Sequence, residues 1–291
     1  MGKQTDTTFK HIAILTHPLI KEAASEAVKM AAYLQDRQVH TVSGLLNDEE
    51  LRAQVKAREF DLVIAVGGDG TVLRAGHLCA PYDVPILPVN MGSLGFLIEV
   101  SPKNWREVLG NLLSGNFWFE NRMMLHATIT HQGEEVAHWD VLNDCVIARG
   151  SHLRPVHFRV TLDGHAVTTY VADALVASTP TGSTAYALAA GGPILPPGLR
   201  NILIVPVAPH LSIDRAIVLA EGSTVSVRVL SDHDAVVSGD GQTPLALDKD
   251  DEITVRASDY TTRLVRFQEL GYFYKNLVLL MDQNPSVGDG E

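Results

Sequence analysis

Residues 61–66 (DLVIAV) form an apolar run that ends on Gly67-Gly68-Asp69-Gly70-Thr71, and a helical stretch at 71–78 follows at once. A buried strand that runs straight into glycines and then a helix is the repeating unit of a parallel, doubly wound sheet. Its surroundings repeat the alternation. An apolar run at 11–15 (HIAIL) precedes a helical stretch at 21–35, where Ala24, Ala27, Val28, Ala31 and Leu34 share one face by three-and-four spacing. A third strand is expected at 84–90, interrupted by Pro85 and Pro88. A helix at 101–113 closes this half, with Ser101 as its N-cap and Pro102 at the first helical position.

After Gly115 the pattern changes. Strands are expected at 117–130, 135–147, 156–162 and 165–171, separated by Gln132-Gly133 and by Asp163-Gly164, the latter a strong hairpin signal. A buried strand at 202–207 and short ones at 216–219, 224–230, 235–238, 252–257 and 263–267 complete a mostly antiparallel region. One helix interrupts it, at 183–190, between Gly182 and Gly191-Gly192-Pro193. The expected fold class is therefore an α/β N-terminal domain with a doubly wound, mostly parallel sheet, plus a C-terminal all-β, sandwich-like domain. The boundary is expected at 116–121: residues 1–118 form the first domain and 119–265 the second, leaving 266–291 as a C-terminal segment.

Composition narrows the functional classes. The chain has 291 residues, 46% hydrophobic and 20% charged, a balance that supplies a real core. Residues 1–8 are polar without the basic-then-apolar pattern of a signal peptide, and 282–291 read as a frayed acidic tail. No apolar run approaches the roughly 20 residues that span a bilayer, so no membrane partner is expected. Cys79 and Cys145 lie far apart without metal-ligand spacing, and read as structural thiols of a cytoplasmic protein. A net charge of −11 argues against a nucleic-acid partner. It does not argue against a phosphate ligand, because backbone amides and helix N-termini bind phosphate without net positive charge.

Four stretches carry chemistry. In the first, 63–70 (VIAVGGDG), Gly67, Gly68 and Gly70 let amides approach a phosphate, and the following helix favours negative charge. Asp69 at the mouth of such a site would be repelled unless it had work to do. Two roles fit: accepting the proton of an attacking hydroxyl, or placing the magnesium of a triphosphate. A plain Gly-Asp-Gly surface turn is the competing reading. The pattern is neither a Walker loop nor the dinucleotide fingerprint. The second stretch, 90–96 (NMGSLGF), ends in Phe96, which stacks on a base or fills the core. The third, 179–193 (TPTGSTAYALAAGGP), gathers Thr181, Ser183 and Thr184 before a helix, so that hydroxyls and amides converge at its N-terminus, and adds Tyr186. The fourth is Asn143-Asp144 inside an apolar strand, where polar side chains need partners; ribose hydroxyls would serve, and a bulge or strand break is the alternative.

Taken in this order and spacing, GGDGT, NMGSLGF, Asn-Asp and TPTGSTAY-AAGGPI resemble the bacterial NAD kinases, over roughly residues 11–270. The glycine turn alone is shared with lipid kinases and phosphofructokinase relatives; the third motif is more specific. The resemblance implies ATP-dependent phosphorylation of the adenosine ribose 2′-hydroxyl of NAD, with Asp69 as general base and Mg2+ or another divalent cation carried by ATP. It implies a homodimer or homotetramer, and a C-terminal segment packed back on the first domain. Gly70 would share the dinucleotide contact of Asp69, Gly67, Gly68 and Thr71 would form the phosphate loop, and Arg74 would lie near the phosphates. Asn143 and Asp144 would bind the ribose and amide region, Asp144 standing where the family usually has the longer Glu. Arg154 and Asp173 would be further contacts, the latter to the nicotinamide carboxamide, with Ala174 where Gly is usual. Val171 occupies a position that is sometimes cationic. Thr184, Ala185, Tyr186, Ala187, Leu188 and Ala189 would surround the adenine, with Thr181 beside them, and Ala208 and Gln242 would make later contacts.

Competing classes find less support. Twelve histidines invite a metal site, yet His126, His131 and His138 lack a ligand motif and read as structural or solvent-facing. No G-x-S-x-G elbow supports a hydrolase. A lipid kinase would need an apolar acceptor pocket, and a non-catalytic dinucleotide-binding regulator would gain nothing from Asp69.

Overall fold

The structure is a computed structural model that describes residues 9–92, 95–151, 154–210, 213–269, 271–274 and 277. The chain divides into two compact units, Met1–Asn121 with Thr262–Glu291, and Arg122–Thr261.

The first unit runs β1 (His11–Thr16), α1 (Lys21–Gln35), β2 (His40–Leu45), α2 (Glu49–Lys56), β3 (Leu62–Gly67), α3 (Asp69–Cys79), β4 (Ile86–Asn90) and α4 (Trp105–Leu113). Its strands pair in parallel in the order β2-β1-β3-β4. β3 is buried along its whole length, as a strand covered on both faces must be. Ile12, Ile14, Leu62, Ile64 and Val66 meet α1 and α4 in one core. Asp48 caps α2 by accepting from the Glu50 and Leu51 amides. The strand at β2 and the helix at α2 went unread in the sequence; β2 is only half-buried, so its apolar signal is faint.

Two expectations about the helices of the first unit need correction. α1 buries Ala23, Ala27, Met30 and Leu34, whereas Val28 is 65% exposed. Met30 sets the core-facing stripe, and the alanines at 24 and 31 are too small to define one. α4 begins at Trp105 behind Asn104, not at Ser101. The Ser101 carbonyl accepts from both Asn104 N–H and Trp105 N–H, making 101–104 a turn ahead of the helix.

The second unit follows β5 (Trp118–His131), whose early residues belong to the first, with β6 (Glu134–Val141), β7 (Asp144–Arg149), β8 (Val156–Leu162), β9 (His165–Ala172), β10 (Ala174–Ser178), the single turn α5 (Tyr186–Ala189), β11 (Asn201–Val207), β12 (Ile217–Ala220), β13 (Val225–Val229), β14 (Ala235–Gly239), β15 (Leu245–Leu247) and β16 (Glu252–Arg266). β12-β11-β10-β7-β14-β15 form one antiparallel sheet; β16-β13-β8-β9 run antiparallel in another, and β5 pairs with β6. One core joins them: Leu125, Phe158, Val160, Val227 and Ile253 pack with Cys145, Ile147, Leu175, Ile204 and Val237. Inward residues alternate with outward ones, as β8 shows with its buried-exposed pattern.

The expected strand at 135–147 is two strands, β6 and β7, broken at Leu142-Asn143. The expected strands at 252–257 and 263–267 are one, β16. The helix expected at 183–190 is a 3-10 turn, Gly182–Thr184, followed by the four residues of α5. The tail at 282–291, residues 1–8, and Ser93-Leu94 of the NMGSLGF stretch lie outside the described residues.

Candidate active site

In the first unit β3 delivers its carboxyl end to Gly67, and Gly68 precedes α3 in extended conformation, so Asp69 is the first helical residue. The helix N-terminus carries partial positive charge, which offsets the carboxylate there. Asp69 is also held from the side. Phe96 N–H donates to its Oδ2 at 2.8 Å and Leu97 N–H to its Oδ1 at 3.3 Å. The approach requires Gly95, since a Cβ there would stand 2.6 Å from Asp69 Oδ2.

Around Asp69, Gly68 and Gly70 have open space where a side chain would stand. Gly67 is pressed on Thr71, whose Cβ would lie 2.8 Å from an added Cβ. The Thr71 hydroxyl is buried without a hydrogen bond, and its N–H donates to the Gly68 carbonyl at 2.8 Å. Arg74 is exposed one helical turn beyond Asp69, and Phe96 is half-buried.

In the second unit the break between β6 and β7 is organised by Asp240. Its carboxylate accepts from three successive amides: Leu142 N–H at 2.7 Å, Asn143 N–H at 2.8 Å and Asp144 N–H at 3.0 Å. Asp240 N–H donates back to the Asp144 carbonyl at 2.9 Å. Asp240 and Gly241 have φ of 47° and 66°, the paired left-handed geometry of an Asp-Gly turn. Asp240 was not among the expected site residues, and the Gly239-Asp240-Gly241 turn was its one signal in the sequence. Asp144 is 5% exposed, and burial, with the Asp240 charge second, pushes its carboxyl up to about 7.

The 179–184 stretch locks onto that break. Thr179 N–H donates to the Asn143 carbonyl at 2.9 Å, Ser178 Oγ donates to it at 3.1 Å, and Thr179 Oγ1 donates to the Leu142 carbonyl at 2.6 Å. Gly182 lies against the same carbonyl: an added Cβ would come within 2.5 Å of its carbon. The hydroxyls expected at a helix N-terminus are spent within the stretch. Ser183 Oγ donates to the Pro180 carbonyl and Thr184 Oγ1 to the Thr181 carbonyl, while Thr181 Oγ1 accepts from Arg122 at 3.2 Å. Thr181 and Thr184 are buried. Beyond them Tyr186 is 44% exposed, Ala185 and Leu188 are half-buried and Ala189 is exposed, whereas Ala187 is wholly buried against Val176, Leu203 and Val205.

A second group gathers at the other end of β7. Asp173, between β9 and β10, forms an ion pair with Arg149, its Oδ1 3.3 Å from Nε, and the Arg149 N–H donates to the Asp173 carbonyl at 2.9 Å. Asp173 N–H reaches the Val207 carbonyl at 3.0 Å, which brings Ala208 beside it with a left-handed φ of 48°. The Val171 carbonyl accepts from His210 N–H at 2.7 Å. Asp144 and Arg149 are the two ends of β7, five residues and so about 17 Å apart. The residues expected to bind one ligand thus fall into two groups: Asn143, Asp144 and the 179–184 stretch, and Asp173, Val171 and Ala208. Arg149 was missed because a lone arginine at a strand end has no spacing signal. Gln242 is exposed just beyond the Asp240 turn, its N–H on the Gly239 carbonyl, and Arg154 is exposed beside residues that are not described.

Among the described residues, His131, Asp248 and Asp251 bring ligand-type atoms within 4.8 Å of one another. Asp251 is already engaged on both oxygens: His131 Nδ1 meets its Oδ1 at 2.6 Å, and its Oδ2 accepts from the Asp248 main-chain N–H at 2.8 Å. Both cysteines are buried and free, and burial pushes each thiol up, Cys145 to about 12. Among the described residues no helix is long and apolar enough to cross a membrane.

The ATP-NAD kinase N-terminal domain model matches residues 48–117, and the ATP-NAD kinase C-terminal domain model matches 142–267. The NAD kinase of Chloroflexus aurantiacus is 37% identical over 270 residues, 92% of this chain and 97% of the relative. That of Dehalococcoides mccartyi is 35% identical, over 97% and 99%. Two solved structures share the fold at 23% identity. Yeast NADH kinase complexed with NADH has a TM-score of 0.85 over 98% of this chain and 91% of that one. The NAD kinase from Archaeoglobus fulgidus in complex with ATP has a TM-score of 0.75 over 94% and 100%. With its relatives matched along nearly their whole length, this chain belongs to the NAD kinase family.

Proposed function

We infer that the chain transfers the γ-phosphate of ATP to the adenosine ribose 2′-hydroxyl of NAD, yielding NADP and ADP, with Asp69 as the general base. One observation carries the role of Asp69. At the end of a parallel strand, where open glycines adjoin a helix N-terminus, its carboxylate is held in one direction by two amides. In the step, the 2′-oxygen bonds to the γ-phosphorus, the bond to the β-phosphate oxygen breaks, and the hydroxyl proton passes to an Asp69 oxygen. Magnesium enters with the triphosphate and leaves with ADP, as part of the donor substrate. The amides at Gly68 and Gly70 and the N-terminus of α3 serve the phosphates, with Gly67 and Thr71 shaping the turn and Arg74 nearby.

By resemblance, Asn143 and Asp144 bind the ribose and amide region of NAD. Thr181, Thr184, Ala185, Tyr186, Ala187, Leu188 and Ala189 surround the adenine, Thr181, Thr184 and Ala187 through their main chain. Phe96, Arg154, Val171, Asp173, Ala208 and Gln242 complete the contacts. We assign phosphate handling to residues 1–118 and dinucleotide binding to 119–265, with 266–291 returning to the first. A cytoplasmic homodimer or homotetramer is the assembly this reading expects.

The test is an incubation with ATP and magnesium and either NAD or diacylglycerol, measuring NADP and phosphatidate. NADP formation with NAD and no phosphatidate is the expected result. Phosphatidate formation, or no turnover of NAD, would overturn the reading.

A further inference from the structure

β16 ends on Arg266, an arginine with no exposed surface. Burying a guanidinium is costly, and a well-packed apolar side chain would serve stability at least as well. Each bond that Arg266 makes is therefore informative. Its Nε donates to Glu120 Oε2 at 2.8 Å and its Nη1 donates to the Leu97 carbonyl at 2.8 Å. Tyr272 steadies the pair: its hydroxyl lies 3.2 and 3.3 Å from the Glu120 oxygens, and its ring centre 5.4 Å from the guanidinium carbon. Next along the chain, Phe267 N–H donates to Glu99 Oε1 at 2.5 Å, which fixes the end of β16.

Leu97 is thus gripped on both sides. Its N–H is on Asp69 Oδ1, and its carbonyl is on Arg266 Nη1. We propose that Arg266 is a positioning residue for phosphoryl transfer: by holding the Leu97 carbonyl against the anchored Glu120, it fixes the Phe96 and Leu97 amides and so aims the Asp69 carboxylate. The inference rests on the reading of Asp69 as base. Arginine suits the task because its planar fork holds two acceptors in a fixed relation, which a lysine ammonium does not. Misplacing a reacting group by about 1 Å can cost on the order of 100-fold in rate.

Replacing Arg266 alone by a neutral residue would strand the buried Glu120 charge, so two variants share the test. Glu120→Gln with Arg266→Gln keeps a neutral hydrogen-bonding pair, and Arg266→Lys keeps the charge on Glu120 while giving up the fork. Turnover is measured per NAD-binding site, counted by equilibrium titration, because a purely structural role lowers the number of sites and not the turnover of each. The expected result is a kcat per site reduced at least about 10-fold, with KM for NAD and ATP within about threefold. A kcat per site within about twofold of the unmodified chain in whichever variant folds would overturn the proposal. Asp69→Asn assayed alongside separates the two readings. If it is inactive while the Arg266 variants are normal, only the positioning role fails; if it is itself fully active, the base assignment fails.

Discussion

The Asp69 carboxylate has an amide on each oxygen and a helix N-terminus beneath it, so its direction is set before any substrate arrives. Gly95 is what allows that grip. In Gly95→Ala the methyl would collide with both Asp69 carboxylate oxygens and must displace either the carboxylate or the 95–97 backbone by about 1 Å. We expect kcat to fall about 10-fold or more with little change in KM for NAD, against a stability loss of only about 1–3 kcal/mol. Steady-state kinetics beside a denaturant titration checks both numbers.

The break between β6 and β7 shows how one side chain can terminate a strand. Three consecutive amides turn towards Asp240 instead of a neighbouring strand, and 179–184 closes over the carbonyls they leave. Asp240→Ala strands those amides, and we expect a loss of about 3 kcal/mol or more in urea unfolding, an unsatisfied buried donor costing about 1–3 kcal/mol. Asp240→Asn keeps an acceptor and removes the charge, so it should be milder and should let the Asp144 carboxyl titrate lower, which NMR titration would show. Much of this was legible in the residues. The β3 run and its glycine turn were read to within a residue or two, because uniform burial and a sharp stop leave a strong pattern, whereas α1 was read with the right bounds and the wrong face. The polar pair Asn143-Asp144 announced a strand break or a bound ligand, and the structure supplies the break. What stayed hidden depends on partners distant in sequence: Asp240 is almost 100 residues from the amides it gathers, and Glu120 and Leu97 are over 140 residues from Arg266. The hydroxyls at 181–184 were misread because their composition suits a helix cap as well as a self-bonded turn.

In the proposed reaction an acidic chain, net −11, handles anionic substrates through amides and a helix end rather than a basic face. Its own buried acid links folding to pH. The folded chain holds the Asp144 proton up to about pH 7, against an ordinary value of 3.8. Between those values the folded state binds more protons than the unfolded one, so this group's contribution falls as pH rises, by at most about 1.4 kcal/mol per pH unit, and levels off above about pH 7. Thermal melts should therefore show Asp144→Asn gaining on the unmodified chain from pH 5 to pH 8; a constant difference would contradict the shift. The most direct test is single-turnover NADP formation from NAD and magnesium-ATP by the unmodified chain and by Asp69→Asn, with NAD binding measured on the same samples. The prediction is that the variant binds NAD within about threefold of normal affinity but forms NADP about 10²- to 10⁴-fold more slowly. NADP formation at a near-normal rate in that variant would contradict the role given to Asp69.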